Sequence, residues 1–208
     1  SFPTRRSSDL HVKVGQKIAE SGAFMSSPIF ASVSGEVVDI RPMLVPGGAM
    51  VKAIVVKNDG KMEEIEGLNE GKDYTTMTND EILAAIKNAG VVGLGGAGFP
   101  TYMKLTDKAD TILMNCAECE PLLKLHRQLL EKHAYEIMKT FHMIQETVGA
   151  AEAIIGIKKS YVQTIQALNQ HIEEFPGMRL HLLDEVYPMG DEVVLIYEAT
   201  GRVVRPGG

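Results

Sequence analysis

The first third of the chain alternates hydrophobic and polar positions over short intervals, a pattern typical of β-strands. Ile29, Ala31 and Val33 alternate with Phe30 and with serines. Two β-branched runs follow at residues 37–40 and 51–56, with turns expected at 46–48 and at the hairpin signal 58–60. Strands this closely spaced predict a small β-sandwich or barrel over residues 11–68.

From residue 78 onward, predicted helices alternate with buried strands. Thr78 or Asn79 can cap a helix that ends before Gly90. Strands are predicted at 111–115, 153–157 and 179–184, and amphipathic helices at 122–149 and 161–174. This order predicts a parallel sheet with helices on its faces. The predicted fold class is α/β, with a β domain, a polar linker at 69–77 and a Rossmann-like domain over 78–208.

Composition and charge limit the partners and metal sites that we expect. The formal net charge is −6, and no apolar run reaches the roughly 20 residues that cross a bilayer. Nucleic acid is not an expected partner, because phosphate binding needs clustered Lys and Arg. Cys116 and Cys119 are the only cysteines, and two thiols cannot supply the four ligands of an iron–sulfur cluster or a structural zinc site. We expect a cytoplasmic protein with no transmembrane segment and no metal site in this sequence.

Both ends of the sequence are unusual. Residues 1–10 read like a translated sequencing-adapter oligonucleotide, and a native disordered tail is the alternative. The far end, Arg205-Pro206-Gly207-Gly208, is a turn signal. We therefore expect the sequence to be a fragment of a longer protein, and we leave residues 1–10 out of the predicted fold.

A glycine-rich segment is the first candidate for chemistry. Gly93, Gly95, Gly96 and Gly98 leave the backbone bare over six positions. Bare backbone can approach a flat ring or a phosphate and turn its N–H groups toward it. The segment does not follow a predicted strand, so the usual dinucleotide fingerprint is not met. From the glycines alone, a cofactor loop and a flexible loop are equally good interpretations.

Two acidic segments follow predicted strands. They are Asn115-Cys116-Ala117-Glu118-Cys119-Glu120-Pro121 and Tyr187-Pro188-Met189-Gly190-Asp191-Glu192. Ligands of open α/β sheets bind outside the carboxyl ends of the strands. Carboxylates accept hydrogen bonds from donors such as ribose hydroxyls and flavin ring nitrogens. Convergence of both segments with the glycines predicts a cofactor pocket, and solvated turns are the alternative.

The β region resembles a lipoyl/biotinyl-type barrel-sandwich hybrid at residues 14–19, 27–28 and 32–37. Domains of this type carry a cofactor on a hairpin lysine. Here Ser34 and Gly35 occupy the expected hairpin tip. The resemblance therefore implies a structural domain of that shape without a carrier lysine.

The chemical motifs together resemble those of the RnfC family. The segment from Gly93 to Thr101, followed by Lys104, looks like the family signature and is similar to the flavin-binding subunit of respiratory complex I. Glu118-Cys119-Glu120-Pro121 matches the family's ECEP motif. The next block is matched by Tyr187-Pro188-Met189-Gly190 with Glu192 and by Thr200-Gly201-Arg202. The resemblance covers residues 11–208.

This resemblance implies an electron-transfer oxidoreductase in which NADH gives a hydride to FMN, which then feeds single electrons to 4Fe-4S clusters in a downstream region. The residues implied to bind FMN are Gly93, Gly95, Gly96, Gly98, Phe99, Lys104, Asn115 and Glu118. Those implied to place NADH are Glu120, Tyr187 and Glu192. No side chain is assigned a catalytic role, because the flavin carries the chemistry. The implied partners are other electron-transfer subunits or a soluble reductase or ferredoxin-like acceptor, and such partners could bring the protein to the inner face of the membrane.

The chain departs from the family pattern after the ECEP motif. It reads Leu122-Leu123-Lys124-Leu125-His126-Arg127, where RnfC proper usually reads Tyr-Leu-Thr-Ala-Asp-His-Arg. The variant looks closer to soluble relatives of the PrdC and PduS type, so the physiological acceptor stays open. A non-catalytic adaptor that docks through the β domain is the alternative function. Cys116 and Cys119 are interpreted as packing residues of the motif rather than as a redox pair.

Overall fold

The computed structural model describes residues 10–94, 98–120 and 122–205. The chain divides into two compact units, Ser1–Lys104 and Leu105–Gly208. The domain bounds expected at 11–68, 69–77 and 78–208 remain predictions. Gly95, Gly96, Pro121 and nearly all of the adapter-like segment lie outside the described residues. Within the described ranges, no helix combines the length and the apolar character needed to span a membrane.

The first unit begins with antiparallel strands around a small core. Its strands are β1 (His11–Val12), β2 (Lys17–Ala19), β3 (Ile29–Phe30), β4 (Gly35–Leu44) and β5 (Met50–Asn58). One sheet has the order β1-β4-β5, and β2 pairs with β3. Val12, Ala31 and Val37 form the buried core, with Ile18, Ile54 and Val56 packed against it. The predicted small β domain is thus present as two short sheets.

The β4–β5 hairpin overturns two expectations. Its register runs from Gly35 opposite Asn58 to Leu44 opposite Met50, so its turn lies at residues 45–49. The hairpin expected at 58–60 is wrong, because β5 ends at Asn58 and no strand follows it among the described residues 59–78. Asp59 instead accepts hydrogen bonds from the Ser34 hydroxyl and the Lys61 N–H. The expected tip at Ser34 and Gly35 is also wrong, since Ser34 is fully buried. Gly35 begins β4 at φ +149°, where a Cβ would overlap the Lys57 carbonyl.

The remaining elements of the first unit flank the glycine segment in the sequence. It contains a 3₁₀ turn (Tyr74–Thr76), α1 (Asn79–Asn88) and the short α2 (Thr101–Lys104). Thr78 caps α1 in a capping box with Glu81, which confirms the predicted start. The turn at Gly90 packs against Phe30, and the Tyr102 hydroxyl donates to the carbonyls of Phe24 and Ser26. Both ends of the glycine segment are therefore tied to the strand region of the same unit.

The second unit is a parallel sheet covered by helices on both faces. Its strands β6 (Thr111–Asn115), β7 (Glu152–Lys158) and β8 (Met178–Leu183) are parallel, as predicted, and lie in the order β6-β7-β8. The helices are α3 (Leu125–Lys132), α4 (Ala134–Val148), α5 (Val162–Asn169) and α6 (Glu192–Thr200), with a 3₁₀ turn at Ile172–Glu174. On β7, Ala153, Ile155 and Ile157 join the core formed with α3, α4 and α5. Gly156 faces the opposite side, where an added Cβ would meet Leu195 of α6.

The helices differ from the sequence prediction in three places. The single helix expected at 122–149 is two helices, because His133 leaves the helical region at φ −130° and ψ 36°. The helix expected at 161–174 ends at Asn169 and is followed by the 3₁₀ turn. Helix α6 was not predicted, because its apolar residues 193–197 are consecutive and show no helical period.

Candidate functional site

The glycine segment is a loop closed at its base. Val92 and Pro100 form an antiparallel bridge, and the Gly93 N–H donates to the Phe99 carbonyl at 2.9 Å. An added Cβ at Gly93 would find only the Phe99 backbone, at 3.7 Å, and one at Gly98 would find nothing within 4 Å. Gly98 also adopts φ +67°, which favours glycine. The described glycines therefore present open backbone at the two ends of the loop.

Phe99 and Lys104 lie beside this loop in the first unit. The Lys104 ammonium group is 5.6 Å from the centre of the Phe99 ring. Lys104 is exposed and is the last residue of α2, whereas Phe99 is half-buried. The structure thus pairs Gly93 with Phe99, which follows Gly98 in the chain, and it places the Lys104 cation over the Phe99 ring.

In the second unit, Asn115 joins the two acidic segments. Its side-chain N–H donates to the Gly190 carbonyl at 2.7 Å, and its side-chain oxygen accepts from the Ala117 N–H at 3.1 Å. A Cβ at Gly190 would overlap the Ala117 carbonyl, so the two segments touch where Gly190 has no side chain. The sequence prediction that these segments converge at the carboxyl ends of β6 and β8 is correct for this pair.

Glu118 is buried and already fully paired. Its side chain is 4% exposed. One carboxylate oxygen accepts from the His126 N–H at 2.9 Å, and the other accepts from Arg127 Nε at 3.2 Å. Lys158, at the end of β7, donates to the Glu118 main-chain carbonyl at 2.8 Å. In the second unit, the Glu118 side chain therefore fastens the loop after β6 to α3.

The three residues expected to place NADH are all exposed. Tyr187 is 81% exposed. Glu120 is exposed at the end of the loop after β6, and Glu192 is exposed in the first turn of α6. Asp191 caps that helix by accepting from the N–H groups of Val193 and Val194. The two segments that meet at Asn115 and Gly190 thus each carry an exposed acidic side chain.

Cys116 behaves as a packing residue in the described structure. Cys116 is buried, and burial, reinforced by the nearby charge of Glu118, raises the pKa of its thiol to about 12. A thiol with so high a pKa supplies almost no thiolate near neutral pH, so it is a poor nucleophile and a poor ligand. Among the described residues, no group of three or more His, Cys, Asp or Glu side chains could hold a metal ion.

Sequence reasoning missed two residues that hold the loop after β6, Arg127 and Lys158. Arg127 pairs with Glu118, and its guanidinium carbon lies 4.2 Å from the centre of the Tyr161 ring. Lys158 holds the Glu118 carbonyl from the neighbouring strand. Arg127 and Glu118 are nine positions apart, with no helical or strand spacing to connect them. Only the position of Lys158 at a strand's carboxyl end signalled a role.

Two family models match the chain over separate regions. Residues 86–208 match the family described as the Nuo51 FMN-binding domain. Residues 7–61 match the family described as the RnfC barrel sandwich hybrid domain. The predicted fold class, a barrel-sandwich hybrid followed by an α/β FMN-binding domain, is confirmed.

Curated proteins that are similar in sequence point to the same family. A subunit of the proton-translocating ferredoxin:NAD(+) oxidoreductase complex of Clostridium ljungdahlii is 36% identical over 203 residues, which cover 95% of this chain and 44% of the relative. The cobalamin reductase PduS of Salmonella typhimurium is 43% identical over 131 residues, covering 63% of this chain and 29% of the relative. The chain therefore spans less than half the length of these relatives.

A solved structure supports the same relationship. The crystal structure of an NAD+-reducing [NiFe]-hydrogenase in the H2-reduced state superposes with a TM-score of 0.53 and 28% identity, covering 65% of this chain and 27% of that one. Family models, relatives and structure agree on one affiliation. The chain belongs to the RnfC-like family of electron-transfer oxidoreductases, with the barrel sandwich hybrid domain of RnfC followed by the Nuo51 FMN-binding domain.

Proposed function

We propose that this chain is the flavin-binding part of an oxidoreductase in which NADH reduces FMN. The observation that carries the proposal is the contact between Asn115 and Gly190, which joins the segments that follow β6 and β8 and that also carry the exposed carboxylates Glu120 and Glu192. Carboxyl ends of parallel strands are the usual place for a nucleotide in open α/β sheets. When bound, FMN would supply the conversion between two-electron and one-electron transfer.

The residues proposed to hold FMN suit a flat, anionic ligand. Open backbone at Gly93 and Gly98 leaves room for a ring or a phosphate to approach, and Gly95 and Gly96 extend the bare stretch in the sequence. Lys104 would offset the phosphate charge, and Phe99 would pack against the ring. Asn115 and Glu118, in the loop after β6, would contact the flavin. The described residues therefore fit FMN.

NADH would be placed by the acidic and aromatic side chains at the sheet edge. Glu120 and Glu192 can accept hydrogen bonds from ribose hydroxyls, because ionised carboxylates act only as acceptors. Tyr187 is exposed and can stack on a flat ring. These three residues would orient the donor while the flavin carries the chemistry.

The electrons would leave through 4Fe-4S clusters outside this sequence, since its two cysteines cannot ligate one. The named relatives include a ferredoxin:NAD(+) oxidoreductase subunit and a cobalamin reductase. We propose that partners are further electron-transfer subunits or a ferredoxin-like acceptor. The proposed location is the cytoplasm, with the inner face of the membrane reached through partners.

Flavin binding tests the proposal. Purified protein mixed with FMN under anaerobic conditions should quench FMN fluorescence, and NADH should bleach the flavin absorbance band. Gly93→Leu should abolish both signals, because the side chain would fill the open side of the loop. Gly71→Leu is the matched control, since a Cβ there meets nothing within 4 Å and the residue has no proposed role.

Two results would count against the proposal. If the unaltered protein retains no FMN, the flavin assignment is wrong. If Gly93→Leu leaves FMN binding and NADH bleaching unchanged, the glycine loop does not hold the flavin. If Gly93→Leu abolishes FMN binding but leaves the activity of the complex with its partners unchanged, the result supports the non-catalytic adaptor instead.

A further inference from the structure

We infer that Arg127 is a positioning residue, which holds the loop after β6 in the shape that FMN binding requires. It acts through Glu118 and does not itself touch the cofactor. The inference rests on the proposed function and adds to it a residue that neither the motifs nor the spacing indicated.

The first step is the buried charge of Glu118. Its carboxylate is almost completely removed from solvent, and both of its oxygens accept hydrogen bonds from α3. A buried carboxylate without a cationic partner is strongly unfavourable. Arg127 is the partner of Glu118 that is always charged, whereas the His126 ring, 3.9 Å away, is charged only when protonated. Removing Arg127 should therefore expel Glu118 toward water and displace the loop that carries it.

The second step is the anchoring of Arg127 itself. Its guanidinium stacks on the ring of Tyr161, which is 7% exposed and lies between β7 and α5. A planar guanidinium can stack on a ring and donate along its edge at the same time, which an ammonium group cannot do. Arg127 is thereby held between Tyr161 and Glu118. Lysine is a poor substitute because it cannot make both contacts in this way.

The third step connects Glu118 to the rest of the site. Lys158 holds the Glu118 carbonyl, while the other end of the same loop is held by Asn115 against Gly190. Glu120 follows two residues later and is exposed. Because Glu118 is fastened by both its side chain and its main chain, its displacement would carry Glu120 and the intervening peptides with it.

The test compares Arg127→Met with Arg179→Met. Arg179 also donates through Nε to a glutamate, Glu152, but this pair lies at the amino ends of β7 and β8. Arg127→Met should weaken FMN binding at least about tenfold, the effect expected when a buried carboxylate loses its partner. Arg127→Lys should give an intermediate affinity. Arg179→Met should lower the melting temperature without changing FMN affinity or the shape of the flavin absorbance band.

Hydrogen exchange gives a readout that needs no flavin and still works if the methionine variant is weakly stable. In Arg127→Lys and Arg127→Met, backbone amides of residues 115–120 should exchange faster than in the unaltered protein, and in Arg179→Met they should not. Equal FMN affinity and equal loop exchange in the Arg127 and Arg179 variants would overturn the inference and leave the proposed function intact. Failure of the unaltered protein to bind FMN would overturn both.

Discussion

Gly190 lacks a side chain at a point where the two acidic segments touch. A methyl group there would overlap the Ala117 carbonyl, which is backbone and cannot rotate away. Gly190→Ala should therefore push the loop after β6 aside and cost roughly 1–3 kcal/mol of stability, as overpacking usually does. Urea unfolding would measure this loss, and FMN titration would measure the accompanying loss of affinity.

Gly71→Ala is the control for this change. Its Cβ meets nothing within 4 Å, so the effect on stability should stay within roughly 0.5 kcal/mol. If Gly190→Ala were as harmless as Gly71→Ala, the close approach of the two segments would not matter for the fold.

Asp59 provides a pH-dependent contribution in the first unit. Hydrogen bonds from the Ser34 hydroxyl and the Lys61 N–H, with a smaller contribution from His11, lower the pKa of its carboxyl from 3.8 to about 2. A lowered folded-state pKa stabilises the fold at pH values above the unfolded-state pKa, and this contribution is lost as the pH falls from about 4 to about 2. The side chain should therefore add to acid destabilisation in that window.

Asp59→Asn tests this linkage while keeping the shape of the side chain. The variant should be less stable than the unaltered protein at neutral pH, and the difference should shrink as the pH falls from about 4 toward about 2. Denaturant unfolding at several pH values would follow it. A stability difference that stays constant across that window would contradict the pKa assignment.

At the scale of elements, the N-terminal cap of α6 sets the position of Glu192, which lies in the first turn of that helix. Asp191 caps the helix through the N–H groups of Val193 and Val194. Asp191→Ala should cost about 0.5–2 kcal/mol and loosen the first turn, because two helix N–H groups lose their acceptor. Asp191→Asn should retain most of the stability, since asparagine caps equally well.

The NADH requirement of the same two variants tests whether the position of Glu192 matters for NADH. If Glu192 places NADH, Asp191→Ala should raise the NADH concentration needed for half-maximal bleaching, and Asp191→Asn should restore it. Equal NADH requirements in the two variants would show that the position of this first turn does not matter for the donor.

Elements of the second unit could be predicted from the sequence where the pattern of apolar residues matches their burial in the fold. The strand β7 is a nearly continuous apolar run, and it lies buried between helices as such runs usually do. Helix α6 was missed because consecutive apolar residues hide its period, although Asp191 and Gly201 mark its two ends. The break at His133 has no glycine or proline to announce it.

The long hairpin of the first unit shows a similar limit. Pro42 counts against a strand, yet it lies within β4 opposite Lys52. It is tolerated because β4 has a second neighbour, β1, only at Gly35 and Glu36, so the strand is an edge beyond that point. Which part of a strand is an edge depends on the whole sheet and cannot be read locally.

In the candidate site, too, some features could be predicted from the sequence and others depend on the fold. Motif residues such as Asn115 and Gly190 were identified from the sequence, and the structure places them in contact. That Glu118 is paired with Arg127 depends on how α3 packs against β7 and α5, which no spacing in the sequence encodes. Sequence therefore identified the loop, and the fold identified what holds it.

At the scale of the whole molecule, the proposed FMN residues come from both compact units. Gly93, Gly98, Phe99 and Lys104 belong to the first unit, and Asn115 and Glu118 belong to the second. A ligand stabilises only the parts of a protein that it binds in the folded state. FMN should therefore protect residues of both units, if both sets of residues hold it.

Hydrogen exchange with and without FMN would decide this. At a free FMN concentration about 100 times its dissociation constant, amides that exchange only when the FMN-binding residues unfold should slow by up to about 100-fold. We expect slowing in peptides covering 98–104 and 111–120, and little change at the β4–β5 turn, residues 45–49, which has no proposed role. Protection confined to one unit would remove the other unit's residues from the FMN site. Protection in both would support the assignment of both sets of residues to FMN binding.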